Sequence, residues 1–379
     1  MKHLLVFLKL TMKTNSMIYI HIPFCDSKCF YCNFCSAKYN EKIKDNYFKK
    51  LIEEIKFNSN KNKNISSIYI GGGTPSSVNE KYIKLIINEL KNNFNIEKNA
   101  EISIEANPCS ITESKLKTYR EIGINRISIG VQSLNNKQLK IIGRRHTKKQ
   151  AINAIKLAKK YFDNINCDLL IGIPKQNYLT LKHSVKCLLK QKINHISSYM
   201  LICEKGTKLT KQIEDNQVKI VNEDKCVGYY NKIVSYLKSK NYYRYEISNF
   251  AHLGYECRHN LGYWNLTDYY GFGLSAHSYV YGFRYSNTTD MQEYLESKFD
   301  YKKEEISNEE KIEELIMLSL RTQKGVSIND LNKLGYDILK EKKNIINSLK
   351  DFINVSQGYI SIKDDKFGVC NQIILDLLP

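Results

Sequence analysis

Four cysteines lie within eleven consecutive positions of the segment HIPFCDSKCFYCNFCSA, residues 21–37. Cys25, Cys29 and Cys32 have the spacing C-x3-C-x2-C, and Cys35 follows with a further x2-C. Thiols this close in sequence could bind a zinc ion, form disulfides or hold an iron–sulfur cluster. The chemistry of the chain depends on which of the three they do.

Zinc and disulfides each fit the pattern less well than a cluster does. A structural zinc site normally takes two separated ligand pairs, and no second C-x2-C or paired histidine follows these cysteines. A zinc site remains an alternative if Cys35 is the fourth ligand. Disulfide scaffolds are short secreted chains, whereas this chain has 379 residues. The other seven cysteines share no spacing and fit a reducing cytoplasm; they are Cys109, Cys167, Cys187, Cys203, Cys226, Cys257 and Cys370.

Closely spaced thiolates on one loop suit a cubane iron–sulfur cluster, in which each iron accepts one cysteine. Three cysteine ligands would leave one iron open. The amino and carboxylate groups of a small molecule can chelate such an iron, and this arrangement is needed to inject an electron into a bound sulfonium. The motif therefore favours a cluster that takes part in chemistry.

The elements around the motif alternate between short β-branched runs and longer stretches with helical periodicity, from Met17 to about residue 203. Six such repeats predict a parallel sheet with right-handed crossovers, either an open doubly wound sheet or a barrel-like one. The first five strands carry polar or glycine residues at or near their C-terminal ends, which favours a barrel-type site there. The predicted strands are 18–22, 67–72, 101–106, 126–131, 167–173 and 195–202.

The sequence predicts four regions. In residues 1–16 the apolar run LLVFL is too short for a signal peptide or a membrane helix, so we expect a disordered or non-native extension. Residues 17–215 would form the β/α core. An aromatic and glycine-rich extension would occupy 216–300, and residues 301–379 would form a smaller, helix-rich, winged-helix-like domain.

The strong positive charge does not predict nucleic-acid binding. Lys and Arg total 58 against 39 Asp and Glu, a net charge of +19. A nucleic-acid footprint requires clustered cations, because affinity comes from the release of phosphate counterions. Here the lysines are spread along the helical stretches, as in KYIKLIINELKNNFN (81–95). We therefore expect a solvated basic surface and no nucleic-acid partner.

The motif C-x3-C-x2-C, with Tyr31 before its third cysteine and on a loop after the first strand, resembles that of the radical S-adenosylmethionine (SAM) superfamily. The resemblance implies a partial (β/α)6 TIM-like barrel with a 4Fe-4S cluster on Cys25, Cys29 and Cys32. It also implies SAM on the open iron. Cys35 departs from the motif and is expected to be a bystander, because a fourth thiolate would leave no iron open.

The resemblance also implies residues that contact SAM. The segment GGGTP (71–75) resembles the glycine-rich segment of the family, where missing side chains let the backbone approach the SAM amino group. Carboxylates would face ammonium or ribose hydroxyls, an amide would add a hydrogen bond, and a guanidinium would bind the carboxylate. The expected cofactor-binding residues are Tyr19, Gly72, Gly73, Thr74, Glu105, Gln132, Arg144 and Asp168.

Within the superfamily the chain resembles the group of oxygen-independent coproporphyrinogen III oxidases and HemW-type haem chaperones. The oxidases carry a further cysteine where this chain has Phe34, and they have a longer segment before the cluster. The motif HNxxYW of the HemW type matches residues 259–264, HNLGYW. All three features favour the chaperone. His259 becomes the candidate haem ligand, with Tyr263 and Trp264 able to cover a porphyrin face.

The resemblance implies a cytoplasmic protein that binds haem and transfers it to an acceptor protein that the sequence does not identify, membrane-associated acceptors included. An electron donor such as a flavodoxin or ferredoxin would be a further partner. Whether the chain is an enzyme stays open. One alternative is oxidative decarboxylation of coproporphyrinogen III through a 5′-deoxyadenosyl radical, and another is a zinc-stabilised nucleic-acid-binding module.

Overall fold

The protein is described by a computed structural model that covers residues 15–299 and 301–379. Its first half alternates strands and helices as the sequence predicts. These elements are β1 (Ser16–Ile22), α1 (Glu41–Phe57), β2 (Asn60–Gly72), α2 (Glu80–Asn93), β3 (Phe94–Ala106), α3 (Glu113–Glu121), β4 (Arg126–Gln132), α4 (Asn136–Ile141), α5 (Lys148–Ala158), β5 (Asn164–Ile171), α6 (Tyr178–Leu189) and β6 (His195–Met200). A short 3-10 helix, Pro75–Ser77, follows β2.

Strands β1 to β6 are parallel neighbours in sequence order and form the partial barrel. Their residues alternate between isoleucine and polar side chains, as in SIYIGG and EISIEA. The isoleucines are buried against the helices, for example Ile68 and Ile70 in one core with Ile83 of α2. The polar residues face the interior of the barrel, because successive strand side chains point to opposite faces.

The helices begin where polar side chains cap their first turns. Asn40 accepts from the Ile43 amide at the start of α1, and Asn79 accepts from the Lys81 amide at the start of α2. Each such cap satisfies a backbone donor that has no partner within the helix. The caps therefore set the residue at which each of these helices begins after the preceding strand.

The elements of residues 207–305 extend the sheet on both sides. They are α7 (Lys208–Glu214), α8 (Glu223–Lys238), β7 (Tyr243–Glu246), β8 (Asn249–Ala251), α9 (Arg258–Trp264), β9 (Tyr269–Phe272), β10 (His277–Val280), β11 (Phe283–Ser286), α10 (Met291–Glu296) and β12 (Lys302–Glu305). Together with the barrel strands they form one sheet in the order β12-β11-β10-β9-β1-β2-β3-β4-β5-β6-β8-β7. Strand β9 pairs with β1 in parallel, so β1 has a partner on each side.

The C-terminal part has its own three-stranded antiparallel sheet and its own apolar core. Ile316, Val326, Ile360 and Ile374 are among its buried residues. The elements are α11 (Asn308–Ser319), β13 (Val326–Ser327), α12 (Ile328–Lys333), α13 (Ile338–Glu341), α14 (Lys343–Ser348), β14 (Ile353–Ser356), β15 (Tyr359–Ile362) and α15 (Cys370–Leu377), with a 3-10 helix at Asp364–Val369.

The predicted fold class, an α/β partial barrel with a smaller C-terminal helix-rich part, is confirmed. Two strands are longer than predicted, since β2 begins at Asn60 and β3 at Phe94. Strand β1 begins at Ser16, inside the predicted extension, and residues 1–14 lie outside the described part. The strands β7 to β11 of the aromatic extension, and β12 just after it, were not predicted. Among the described helices, none is long and apolar enough to cross a membrane.

Candidate functional site

The loop that carries the cysteines leaves the C-terminal end of β1 and is closed at its base. The amide of Cys25 donates to the Ala37 carbonyl over 3.1 Å, and the amide of Ala37 donates to the Pro23 carbonyl over 3.0 Å. In the middle of the loop, the Phe30 amide donates to the Ile142 carbonyl, and the Phe30 carbonyl accepts from the Leu209 amide. These four bonds hold the loop over the end of the barrel.

Three of the four cysteines in this loop face one cavity. Cys25, Cys29 and Cys32 line a cavity of about 320 Å³ at the C-terminal ends of the barrel strands. Cys35 does not line it, and its Sγ lies 3.8 Å from the Thr289 carbonyl oxygen. The geometry thus separates the three cysteines of the predicted motif from the fourth.

The three thiols line the cavity without converging on a single point. Within residues 15–299 and 301–379, no three His, Cys, Asp or Glu side chains converge on one point that could hold a metal ion. A cubane takes one thiolate at each of several irons, so its donors need not converge. Burial raises the pKa of Cys25 and Cys32 in the metal-free state, and a bound metal would deprotonate these thiols outright.

The glycine-rich segment after β2 packs directly against the cysteine loop. The Gly73 amide donates to the Ile22 carbonyl and the Thr74 amide to the Phe24 carbonyl, each over 2.8 Å. A Cβ on Gly73 would lie 2.8 Å from the Phe24 carbonyl oxygen, so only glycine allows this approach. Thr74 Oγ1 lies 3.2 Å from Cys25 Sγ. The segment therefore lines the cavity and supports the first cysteine.

Two partly buried carboxylates, Glu105 of β3 and Asp168 of β5, line the same cavity. Tyr69 donates to Glu105 Oε1 over 2.9 Å, and Asn166 donates to Asp168 Oδ1 over 2.7 Å. Burial, with the Asp168 charge as a second cause, raises the pKa of Glu105 to about 7. Burial also raises the pKa of Asp168. A cationic ligand would relieve this repulsion between the carboxylates.

Gln132 and Arg144 complete the set of predicted residues that line the cavity. The register of β4 shifts between Ile129 and Gln132, and Gln132 has a φ of 64°. This left-handed backbone is costly for a residue with a side chain and is typical of functional sites. Arg144 donates to Cys29 Sγ over 3.4 Å and, through Nη2, to the Gly130 carbonyl. Its guanidinium therefore links the cysteine loop to the barrel wall.

Tyr19, another predicted contact, does not line the cavity. Its hydroxyl lies 3.1 Å from His21 Nδ1, and His21 Nε2 lies 2.9 Å from the Cys35 carbonyl oxygen. Because a carbonyl can only accept, Nε2 carries the proton and Nδ1 accepts from Tyr19. Burial lowers the pKa of His21, which keeps the ring neutral as this arrangement requires. Tyr19 therefore acts on the end of the cysteine loop through His21.

His259 lies at the opposite end of the barrel, in the buried first turn of α9. Its Nδ1 is 2.9 Å from Ser67 Oγ, and its Nε2 is 3.1 Å from the Tyr263 hydroxyl. Burial lowers the pKa of His259 to about 3, so the ring is neutral. Glu101 accepts from the backbone amide of His259 and fixes the start of the helix. In this conformation both ring nitrogens have partners, and haem iron could reach one only by displacing Ser67 or Tyr263.

Comparison with known proteins gives the family of the chain. Residues 19–188 match the model of the radical SAM superfamily. The haem chaperone HemW of Lactococcus lactis is 35% identical over 320 residues, which cover 83% of this chain and 84% of that relative. HemW of Bacillus subtilis is 35% identical over 318 residues, or 82% and 84%. The chain belongs to the HemW family.

The fold of this HemW-family chain is also that of a solved structure, coproporphyrinogen III oxidase (HemN) from Escherichia coli, described as a radical SAM enzyme. The TM-score is 0.84, with 100% of this chain and 93% of that chain aligned at 20% identity. The likeness concerns the fold. The predicted resemblance to the radical SAM superfamily and to the HemW type is confirmed.

The HemW-family chain has further cavity residues that were not predicted. Tyr69, Asn107, Ser128 and Tyr199 all line the cavity beside the predicted residues. Asn107 accepts from Arg144 Nη2, and Ser128 donates to Asp168 over 3.3 Å. The sequence could have indicated Tyr69 and Ser128. Each alternates with buried isoleucines along its strand, so its side chain must face the barrel interior.

Proposed function

We propose that the chain is a haem chaperone that binds haem and delivers it to an acceptor protein. The observation that carries the proposal is the 35% identity to proteins named heme chaperone HemW over more than four fifths of both chains. The sequence features Phe34, where the oxidases have a cysteine, and HNLGYW at 259–264 support the same choice.

As part of this proposal, Cys25, Cys29 and Cys32 hold a 4Fe-4S cluster, and the cavity beside them holds SAM. When bound, the cluster and SAM supply one-electron chemistry at an iron that has no cysteine ligand. The chain itself supplies the thiols, an arginine beside Cys29, and the carboxylates of Glu105 and Asp168 for the cationic groups of SAM. The charges and donors of the cavity support this assignment.

The remaining SAM contacts are proposed on the same grounds. Gly72, Gly73 and Thr74 bring backbone groups to the cavity, and Gln132 brings an amide. Tyr19 acts as a positioning residue, because its hydrogen bond to His21 helps hold the end of the cysteine loop. The role of His259 as a haem ligand stays a prediction, and its two internal hydrogen bonds give the ring a structural role already.

We propose that the chain works in the cytoplasm, with an electron donor such as a flavodoxin or ferredoxin. All eleven cysteines are unpaired, which is usual in a reducing compartment. The acceptor is a haem protein of unknown identity, and membrane-associated acceptors are included.

The test uses the full chain, purified and reconstituted with iron and sulfide without oxygen. We expect stoichiometric haem binding, seen in the Soret band, and transfer of that haem to an apo-haem protein offered as acceptor. Incubation with coproporphyrinogen III, SAM and a reductant should yield no protoporphyrinogen. Product formation at the rate of a true oxidase, or absence of haem binding, would refute the chaperone assignment.

A further inference from the structure

Two aromatic rings are exposed at the mouth of the cofactor cavity. Phe34 of the cysteine loop and Tyr199 near the end of β6 both line the cavity, yet they are 67% and 39% exposed. A side chain that lines a cavity and also meets solvent lies at its opening. Leu201, just after β6, and Tyr31 of the cysteine loop both pack against the buried cluster of Ile142, Leu170 and Ile173, so the end of β6 and the loop share one apolar contact. The two rings are thus parts of one rim.

The rim also carries one exposed lysine. Lys28 is exposed, lines the cavity, and donates from Nζ to the Phe34 carbonyl over 3.1 Å. A second lysine lies nearby but outside the cavity lining, with Lys208 Nζ 4.1 Å from the centroid of the Phe30 ring of the cysteine loop. The loop carboxylate of Asp26 is paired with Arg145 at 3.5 Å. Exposed aromatic faces beside a lysine suit a flat apolar ligand that carries carboxylates.

The cavity itself leaves no room for a second large ligand. Its volume of about 320 Å³ is near the lower end for small-molecule pockets, and the proposed function places SAM there. The larger groove at the other end of the barrel, about 640 Å³, is lined by Leu261 and Gly262 of the HNLGYW motif. Among its described lining residues none is aromatic. The cavity mouth therefore offers the better surface for a porphyrin.

We propose that haem binds at this rim, with its macrocycle against Phe34 and Tyr199 and its propionates toward Lys28. The inference rests on the proposed haem function and adds the place of binding. Because His259 lies at the opposite end of the barrel, it would not be the iron ligand of haem bound at this rim. It also sets the order in which the ligands leave, because haem at the mouth covers the cavity in which SAM is proposed to bind. Loss of SAM from the covered cavity then requires the release or displacement of haem.

The test titrates the reconstituted full chain with haem and, separately, with iron-free protoporphyrin IX. Phe34→Ala and Tyr199→Ala should each weaken both ligands by about tenfold, because stacking on the macrocycle does not depend on iron. Phe34→Trp should keep the affinity of the wild type. Leu253→Ala is the matched control, because it also removes an exposed apolar side chain, 75% exposed, but away from the cavity. Leu253 follows β8, whose Ala251 pairs with His195 at the start of β6. SAM release should be slower when haem is bound.

The outcomes separate this inference from the proposed function. If the wild type binds no haem, the proposed function and the inference both fail. If the wild type binds haem and Phe34→Ala and Tyr199→Ala bind it with unchanged affinity, only the rim is refuted. Normal haem affinity in these variants with impaired transfer to the acceptor would assign the rim to a protein partner and overturn the haem site. Iron content and circular dichroism confirm that each variant is folded and loaded.

Discussion

Tyr69 joins the two ends of the barrel: its hydroxyl donates to Glu105 Oε1 over 2.9 Å, and its ring stacks on His259 with centroids 5.2 Å apart. Glu105 lines the cavity beside Cys25, Cys29 and Cys32, whereas His259 belongs to the HNLGYW helix at the other end. The HNLGYW helix therefore supports the cavity wall through one side chain.

The pH dependence of SAM binding should report the ionisation of Glu105. With a pKa of about 7 in the free protein, Glu105 is mostly protonated at pH 6 and mostly ionised at pH 8. A cationic ligand prefers the ionised form, so affinity should rise by up to about tenfold across this range. Glu105→Gln should bind weakly at pH 8 and lose this rise. Isothermal titration calorimetry at both pH values measures the change in affinity. Tyr69→Phe should move the midpoint of this pH dependence upward, because it removes a hydrogen bond that lowers the pKa of Glu105.

The same carboxylate should lower the stability of the cofactor-free chain. Its pKa is raised on folding, so the folded state loses stability as pH rises from about 4.5 to about 7. Glu105→Gln removes this penalty and should increase the free energy of unfolding at pH 8 by on the order of 2 kcal/mol. Urea denaturation without SAM measures the gain. A variant less stable than the wild type at pH 8 would contradict it.

Substitution should show that three of the four loop cysteines are needed to bind iron and that Cys35 is not. Cys25→Ala, Cys29→Ala and Cys32→Ala should each lose most iron and sulfide after anaerobic reconstitution, because each removes a proposed ligand. Cys35→Ala is the matched control in the same loop and should keep the wild-type content. Iron and sulfide assays with the visible absorption spectrum decide. Loss of iron in Cys35→Ala equal to that in the other three would assign Cys35 to the cluster.

A methyl group at Gly73 should disturb the cysteine loop. Its Cβ would lie 2.8 Å from the Phe24 carbonyl oxygen, so Gly73→Ala should push the loop away and cost about 1–3 kcal/mol. The cluster content should fall with it. A Cβ on Gly228 of α8 would meet no atom within 4 Å beyond its own helix, and Gly228→Ala should be stabilising by about 0.5–1 kcal/mol. Equal effects of the two substitutions on iron content would contradict the packing argument.

His259 should matter for stability in acid. Its pKa falls from 6.5 to about 3 on folding, so its contribution is present above pH 6.5 and is lost as pH falls. Between pH 7 and pH 5 the wild type should lose about 2 kcal/mol more stability than His259→Gln. At pH 7 His259→Ala should cost about 2–4 kcal/mol, since Ser67 and Tyr263 lose a buried partner. Urea denaturation measures both, and haem titration of the folded variants tests His259 as an iron ligand.

Local pattern predicted the residues whose role is set by strand ends. Polar residues at the ends of predicted parallel strands indicated one shared rim, and the family resemblance implied Glu105 and Asp168, which both line the cavity; the three cysteines follow from their spacing. The sequence could not show that Tyr19 acts through His21 or that His259 stacks on Tyr69, because these contacts join segments through tertiary packing. Strand β9 was missed for the same reason, since its pairing with β1 spans about 250 residues of chain.

The parallel pairing of β1 with β9 has a consequence for how the chain can be shortened. Among the described residues, all those that line the cavity beside Cys25 precede position 200, so a fragment ending near residue 206 would keep this cavity lining. That fragment would leave Met17–Ile20 as an open edge beside the cysteine loop, a template for aggregation. It would also leave Glu101 and Ser67 without the helix that covers them. We therefore expect such a fragment to aggregate, because strand β9 of the aromatic extension covers the edge of β1 in the full chain.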